Sequence, residues 1–228
     1  ASQTEPTPVP EGLNYDLWLG PAPEAPFCPA RLHSNWRWFY DYSGGNITDF
    51  GAHHLDIVQW ALGMDESGPV EFFDLHAEWP APGNLYTTAP KFDFAYRYAD
   101  GTTVRVKDKQ DFGAGIAFEG ELGTIISARG KLDIKPAELR KPLGQSDVRL
   151  YESKDHFRNF IDGIQTGAKT AAPIEYAHRS ITIAHLANIG LRLNREKLRW
   201  DPAKEQIIDD AEAAAMLTRP MRGPWQLA

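Results

Sequence analysis

Residues 91–107, KFDFAYRYADGTTVRVK, decide how this chain folds. Two runs rich in aromatic and β-branched residues flank Asp100-Gly101, a dipeptide suited to a tight hairpin turn. The pattern extends outward in both directions. PVEFFDLHAEW (69–79) comes first and ends at the turn PAPG. GIAFEG (115–120), LGTIISAR (122–129) and KLDIKP (131–136) follow, joined by short turns at Gly120–Gly123 and Gly130. The region from about 69 to 135 therefore reads as an antiparallel meander.

Helical patterns lie on either side. Before the strands, Asn46 suits an N-cap and Asp49 suits the positive helix end, so a helix is predicted from Asn46 through LDIVQWAL to Gly63. After residue 150, HFRNFIDGIQTG is a helix capped by Asp155. IEYAHRSITIAHLANIGLRLN is the longest helix, with Ala177, Ile181, Ala184, Asn188 and Leu191 along one narrow stripe. DDAEAAAML is a third, ended by Pro220. Strands followed by helices predict an α+β fold: an open, mainly antiparallel sheet with helices packed on one face. Residues 1–42 combine seven prolines with aromatics at Tyr15, Trp18, Phe27, Trp36, Trp38, Phe39 and Tyr40. They are expected to form an irregular arm packed on a single domain spanning 1–228.

Composition narrows the function. Lys and Arg number 24 against 31 Asp and Glu, a net charge of −7. That balance argues against nucleic acid and against anionic membranes as partners. No apolar run approaches the length of a membrane span. The start ASQTEPTPVP has no basic n-region and no apolar h-region, so the default compartment is the cytoplasm, and export would need an upstream signal. The single cysteine, Cys28, reads as a small buried hydrophobe.

The chemistry-bearing stretch is GGNITDFGAHHLDIVQW, residues 44–60. Asp49 and His53, four apart, share a helix face about 5–6 Å from each other at Cβ. A carboxylate beside an imidazole can take a proton from a hydroxyl. The bland alternative, a capping aspartate and a structural histidine, stands at even weight on spacing alone. His33, His53, His54 and His76 could gather a metal with Asp49, but adjacent histidines diverge by about 100° on a helix and no H-E-x-x-H occurs, so no metal is expected. Gly113-Ala114-Gly115 leads into strand-like sequence rather than a helix, so it reads as a hairpin connection and not a dinucleotide cradle. Arg31, His33, Trp36, Arg37 and His54 are candidate substrate-binding residues, Trp36 and Trp38 being equally suited to covering the sheet. His156, His178 and His185 are assigned to packing or solvent.

Taken together, GGNITDFGAHHLDIVQWALG, GPVEF, YADGTTV, FEGELGTI, AHRSITIAHLANIGLRL and RPMRGPW resemble the C-terminal domain of Gfo/Idh/MocA-type oxidoreductases. LNYDLWLGPAP and RLHSNWRWFYDYSGG look like one bacterial branch. The resemblance covers essentially the whole chain. It implies a dihydrodipicolinate-reductase-like C-terminal fold that partners a Rossmann domain carrying NAD(P) and an E-K-P lysine. It further implies that His53 is the general base for a sugar or polyol hydroxyl, that Asp49 orients the substrate, and that the open sheet face forms a homo-oligomer. The sequence contains neither the Rossmann half nor E-K-P, so no cofactor is expected to bind this chain alone. Hydride transfer by it alone is not expected either. Two other readings stand beside this one. The first is a nucleotide-independent sugar lyase or epimerase using His53 and Asp49. The second is a non-catalytic carbohydrate-binding or scaffold subunit paired with a separate Rossmann chain.

Overall fold

The computed structural model describes residues 3–109, 113–142, 144 and 147–226. The predicted strands form, but in two sheets. Strands β1 (Glu71–Glu78), β2 (Lys91–Arg97) and β3 (Thr103–Lys107) belong to a five-stranded sheet, whereas β4 (Gly115–Gly120), β5 (Gly123–Ala128) and β6 (Lys131–Lys135) form a separate three-stranded one. The large sheet is completed by a hairpin absent from the sequence expectation, β7 (Lys197–Asp201) and β8 (Gln206–Ile208). The order is β3-β2-β1-β7-β8, with every pairing antiparallel. β7 alternates buried Leu198 and Trp200 with exposed Lys197 and Arg199, so a period-2 signal was present but short. A bulge interrupts β1 between Phe73 and His76, where Asp74 adopts φ 51°.

Five helices frame the sheets: α1 (Tyr15–Leu19), α2 (Asp49–Ala61), α3 (His156–Thr166), α4 (Ile174–Arg192) and α5 (Ala211–Ala215). Asn46 is not the N-cap of α2. It sits in a 3-10 turn, Gly45–Ile47, and Thr48 precedes the helix without a side-chain cap bond. Thr48 is committed elsewhere: its hydroxyl accepts from the Gly44 amide at 3.1 Å and donates to the Gly45 carbonyl at 3.1 Å. Two other ends match expectation, whereas α5 stops at Ala215 rather than running to Pro220. Asp155 caps α3, and Gly63 takes φ 69° after α2.

α2 and α4 pack together on one face of the large sheet, and α4 crosses β1. Ser180 of α4 donates to Asp56 of α2 at 2.8 Å. The close approach of α4 to the sheet depends on Gly190, where an added Cβ would lie 2.8 Å from Leu75 Cδ1. This squeeze widens the predicted stripe of α4 into near-complete burial from Ile183 to Leu191, apart from His185. The core joins those residues to Leu55, Phe72, Leu75, Phe94, Tyr96, Tyr98, Leu198 and Trp200. The outer face of the sheet is laced with ion pairs instead: Glu71 with Arg97 and Lys197, and Asp93 with Arg105 and Lys107.

The arm is held by aromatic contacts. Tyr15 meets Trp18 and Phe27, Trp18 meets Tyr42, and Phe39 meets both Tyr42 and Tyr86. Cys28 is buried there at 2% exposure, as a small apolar residue. Among the described residues no helix is long and apolar enough to cross a membrane.

Buried phenols make the fold sensitive to base. Burial pushes Tyr98 up to about 12, and burial followed by the neighbouring Tyr42 does the same to Tyr15. An unfolded tyrosine loses its proton near pH 10, so the unfolded chain binds fewer protons than the folded one above that pH. Stability is therefore present in full below about pH 10 and falls as pH rises toward the folded values. Tyr98 alone should remove about 2 kcal/mol by roughly pH 11.5. Denaturant unfolding at about pH 9 and about pH 11.5 measures this. A flat profile would contradict it, and Tyr98→Phe should flatten part of the slope.

Candidate functional site

The start of α2 is fixed by two adjacent glycines. Gly45 takes φ 68°, and a side chain there would strike Thr88 Cβ at 2.7 Å. Gly44 is closed in by Thr48 and by Asn188, whose amide donates to the Gly44 carbonyl at 3.0 Å. Asn188 lies on α4, so this bond clips the α2 entry to the long helix. The result is an open recess of about 300 Å³ lined by Trp36, Arg37, Tyr42, Ser43, Gly44, Thr48, Asp49 and His185.

Asp49 opens α2, where the helix dipole favours its charge. Its Oδ2 lies 3.0 Å from Arg37 Nε, with both side chains about one-third exposed. Arg37 also donates to the Ser34 carbonyl at 3.2 Å and stacks 5.2 Å from the Trp36 ring. Asp49 therefore enters the recess as a fixed carboxylate with an arginine beside it, an arrangement able to hold neighbouring hydroxyls by charge-assisted bonds.

The predicted residues do not all gather here. Asp49, Trp36 and Arg37 line the recess. His53 stands one turn further along α2 and is exposed, outside the lining. His54 is partly buried; burial first, then His53 and Arg129, hold its pKa below the ordinary histidine range. Arg31 is engaged within the arm, donating to the Pro26 carbonyl and the Tyr42 hydroxyl and lying over Phe39. His33 is exposed with φ 54°. Among the described residues, no three His, Cys, Asp or Glu are placed to hold a metal ion. Gly115 opens strand β4, and β3 and β4 lie in different sheets, so the G-x-G is a strand entry and not the expected hairpin connection. No described strand–turn–helix offers the glycine-lined turn a dinucleotide requires, and these residues do not fit NAD(P).

His185 was assigned to packing or solvent from sequence, yet it forms part of the recess wall. His185 is exposed to solvent by surface area while neighbouring atoms crowd it enough to desolvate it in part. Burial first, then Arg219, hold its pKa below the ordinary range, so it is a neutral imidazole at neutral pH. Its only sequence signal was position: it lies three residues before Asn188, on the α4 segment that reaches Gly44.

The oxidoreductase family C-terminal alpha/beta domain of the Gfo/Idh/MocA group matches residues 1–227, and the chain belongs to that family. Among solved structures, the WlbA dehydrogenase from Bordetella pertussis, in complex with NADH and UDP-GlcNAcA, superposes with a TM-score of 0.53 at 14% identity, over 74% of this chain and 49% of its own. An NAD-binding protein from Listeria innocua gives 0.49 at 15% identity, over 74% and 55%. An oxidoreductase from Thermotoga maritima gives 0.49 at 14%, over 84% and 50%. This chain spans about half the length of these solved relatives. No curated protein matches it.

Proposed function

We propose that this chain is the substrate-binding and proton-transfer half of an NAD(P)-dependent sugar or polyol dehydrogenase. The observation that carries the reading is the fixed carboxylate of Asp49 in an open recess edged by Trp36, within a chain of this oxidoreductase family. A carboxylate and an arginine can take adjacent sugar hydroxyls, and an indole face suits the apolar side of a sugar ring. NAD(P), when bound by a nucleotide-binding half, accepts the hydride; no residue of this chain is assigned to it. The chain's own part is to seat the hydroxyl and hold its proton on an imidazole.

Family resemblance gives that imidazole role to His53, one turn from Asp49. A specific observation favours His185 as a second reading: it lines the recess together with Asp49 and is neutral at neutral pH. Self-association through the outer sheet face belongs to the same proposal. Its charges are already matched in pairs, so two copies can meet there without burying an unpaired charge.

Calorimetric titration with neutral sugars and polyols tests the site. Saturable binding is expected, weakened about tenfold by Asp49→Asn, the loss typical of one charge-assisted bond. Absence of binding, or an unchanged affinity in the variant, would overturn the reading. Imidazole nitrogen resonances then choose the base. The signal that moves on sugar addition should be the one missing from His53→Gln; if it is missing from His185→Gln, the role passes to His185.

A further inference from the structure

Beyond the recess, two arginines converge on one aromatic ring. Arg192, in the last turn of α4, places its guanidinium 3.7 Å from the Tyr40 centroid and 5.2 Å from that of Trp79. Arg219, from the C-terminal segment, lies 4.2 Å from the same Tyr40 centroid. Each makes one hydrogen bond to a backbone carbonyl, Arg192 to Thr87 and Arg219 to Tyr40. A guanidinium carries five N–H donors, so most of this capacity is unspent. Among the described residues neither arginine forms an ion pair with a carboxylate. Asp41 is the acid that acts on Arg192, and its influence ranks below burial, Tyr40 and Arg219.

Gathering these cations is unfavourable in the free protein. Arg219 disfavours the charged forms of both Arg192 and His185, and Arg192 is partly buried as well. Several other arginines of this chain meet carboxylates: Arg195 binds Asp210 and Glu212, and Arg222 binds Asp16. In a protein of net charge −7, two guanidiniums against one ring, neither paired with a carboxylate, stand out. Ring contacts alone would hold a single arginine; they give no reason to bring a second against the same ring.

The cluster adjoins the recess. His185 and Arg192 lie on one helix, seven residues apart, which is two turns or about 10 Å. Arg219 is close enough to act on both. A group held by these arginines is therefore within about 10 Å of His185 and the recess.

We propose that Arg192 and Arg219 bind an oxyanion carried by the substrate, so that the recess serves an acidic sugar rather than a neutral one. This rests on the sugar-binding reading above. A carboxylate or a phosphate would satisfy the two planar donor sets, through bidentate bonds that a neutral hydroxyl cannot match.

The whole chain is titrated with glucose, glucuronate and glucose 6-phosphate at equal ionic strength. An acidic sugar should bind at least about tenfold more tightly than glucose, in line with a charge-assisted bidentate contact. The tighter of the two acids identifies a carboxylate or a phosphate as the source. Arg219→Gln and Arg192→Gln should remove this preference while leaving glucose binding intact. Arg97→Gln, on the outer sheet face, should leave the preference unchanged. Arg219 is exposed, so its variant keeps the test valid if Arg192→Gln, which loses the Tyr40 and Trp79 contacts, does not fold. Equal binding of all three sugars would overturn the oxyanion site and spare the recess. A preference that survives Arg219→Gln would also overturn it. No binding of any sugar would overturn both readings.

Discussion

Exchanging Gln59 for leucine is expected to lower stability by about 2–5 kcal/mol, a large share of what holds a domain of this size folded. Gln59 is fully buried on α2. Its amide donates to the Met64 carbonyl at 2.9 Å and the Ser67 carbonyl at 3.0 Å, and its oxygen accepts from the Tyr98 hydroxyl. One side chain thus ties the end of α2, the loop beyond it and the end of β2. Leucine fills similar volume but leaves the Tyr98 hydroxyl and the Ser67 carbonyl without these partners. Met64 is less affected, because its carbonyl also accepts from the Ser67 amide. The buried unpaired groups dominate the cost. Denaturant unfolding should show the midpoint falling at constant slope. Adding Tyr98→Phe should recover part of the loss, since the second change removes a group the first left unsatisfied. A Gln59→Leu protein as stable as its parent would show that this network does not hold the layers together.

At the recess, Gly44→Ala should cost about 2–4 kcal/mol and abolish sugar binding together. The backbone at Gly44 has φ −111°, so the strain is not conformational. It is spatial: a Cβ would be driven into the Thr48 methyl and would stand 2.7 Å from Asn188 Nδ2. Both neighbours also hydrogen-bond Gly44, so making room for a methyl breaks the bonds that position the start of α2. Thermal unfolding and the same calorimetric titration measure the two effects. Thr48→Ser in the alanine background removes the clashing methyl but leaves the close Thr48 hydroxyl position and Asn188 amide, so it should restore only part of both. Were the alanine protein to bind sugar normally, the recess would not depend on this clip.

Much of the scaffold could be read from residues close in sequence. The hairpin at Asp100-Gly101, the Gly120–Gly123 turn, the Asp155 cap and the Gly63 stop are local events, each decided by a few neighbouring side chains. The N-terminus of α2 differs from expectation for a reason that is only partly local. Asn46 is a good capping residue, but Thr48 and Asn188 fix the Gly44-Gly45 corner instead, and the second of these lies 144 residues away. The β7–β8 hairpin was overlooked because five residues of alternation carry little weight beside a 19-residue helix.

The sequence by itself determined strands β1 to β6, the three long helices, the placement of Asp49 one turn before His53, and membership of an oxidoreductase family. Those features follow from side-chain periodicity, turn chemistry and local motifs, all of which act over a few residues. Only the tertiary structure decided that the strands divide into two sheets and that β7 pairs with β1. It alone brought His185 and Asp49 into the wall of one recess and left His53 outside that lining, and it alone set Arg192 and Arg219 against Tyr40. These depend on the crossing of α2 and α4 over the sheet and on the return of the C-terminal segment. Such contacts join residues more than a hundred positions apart and leave no periodic trace in the chain.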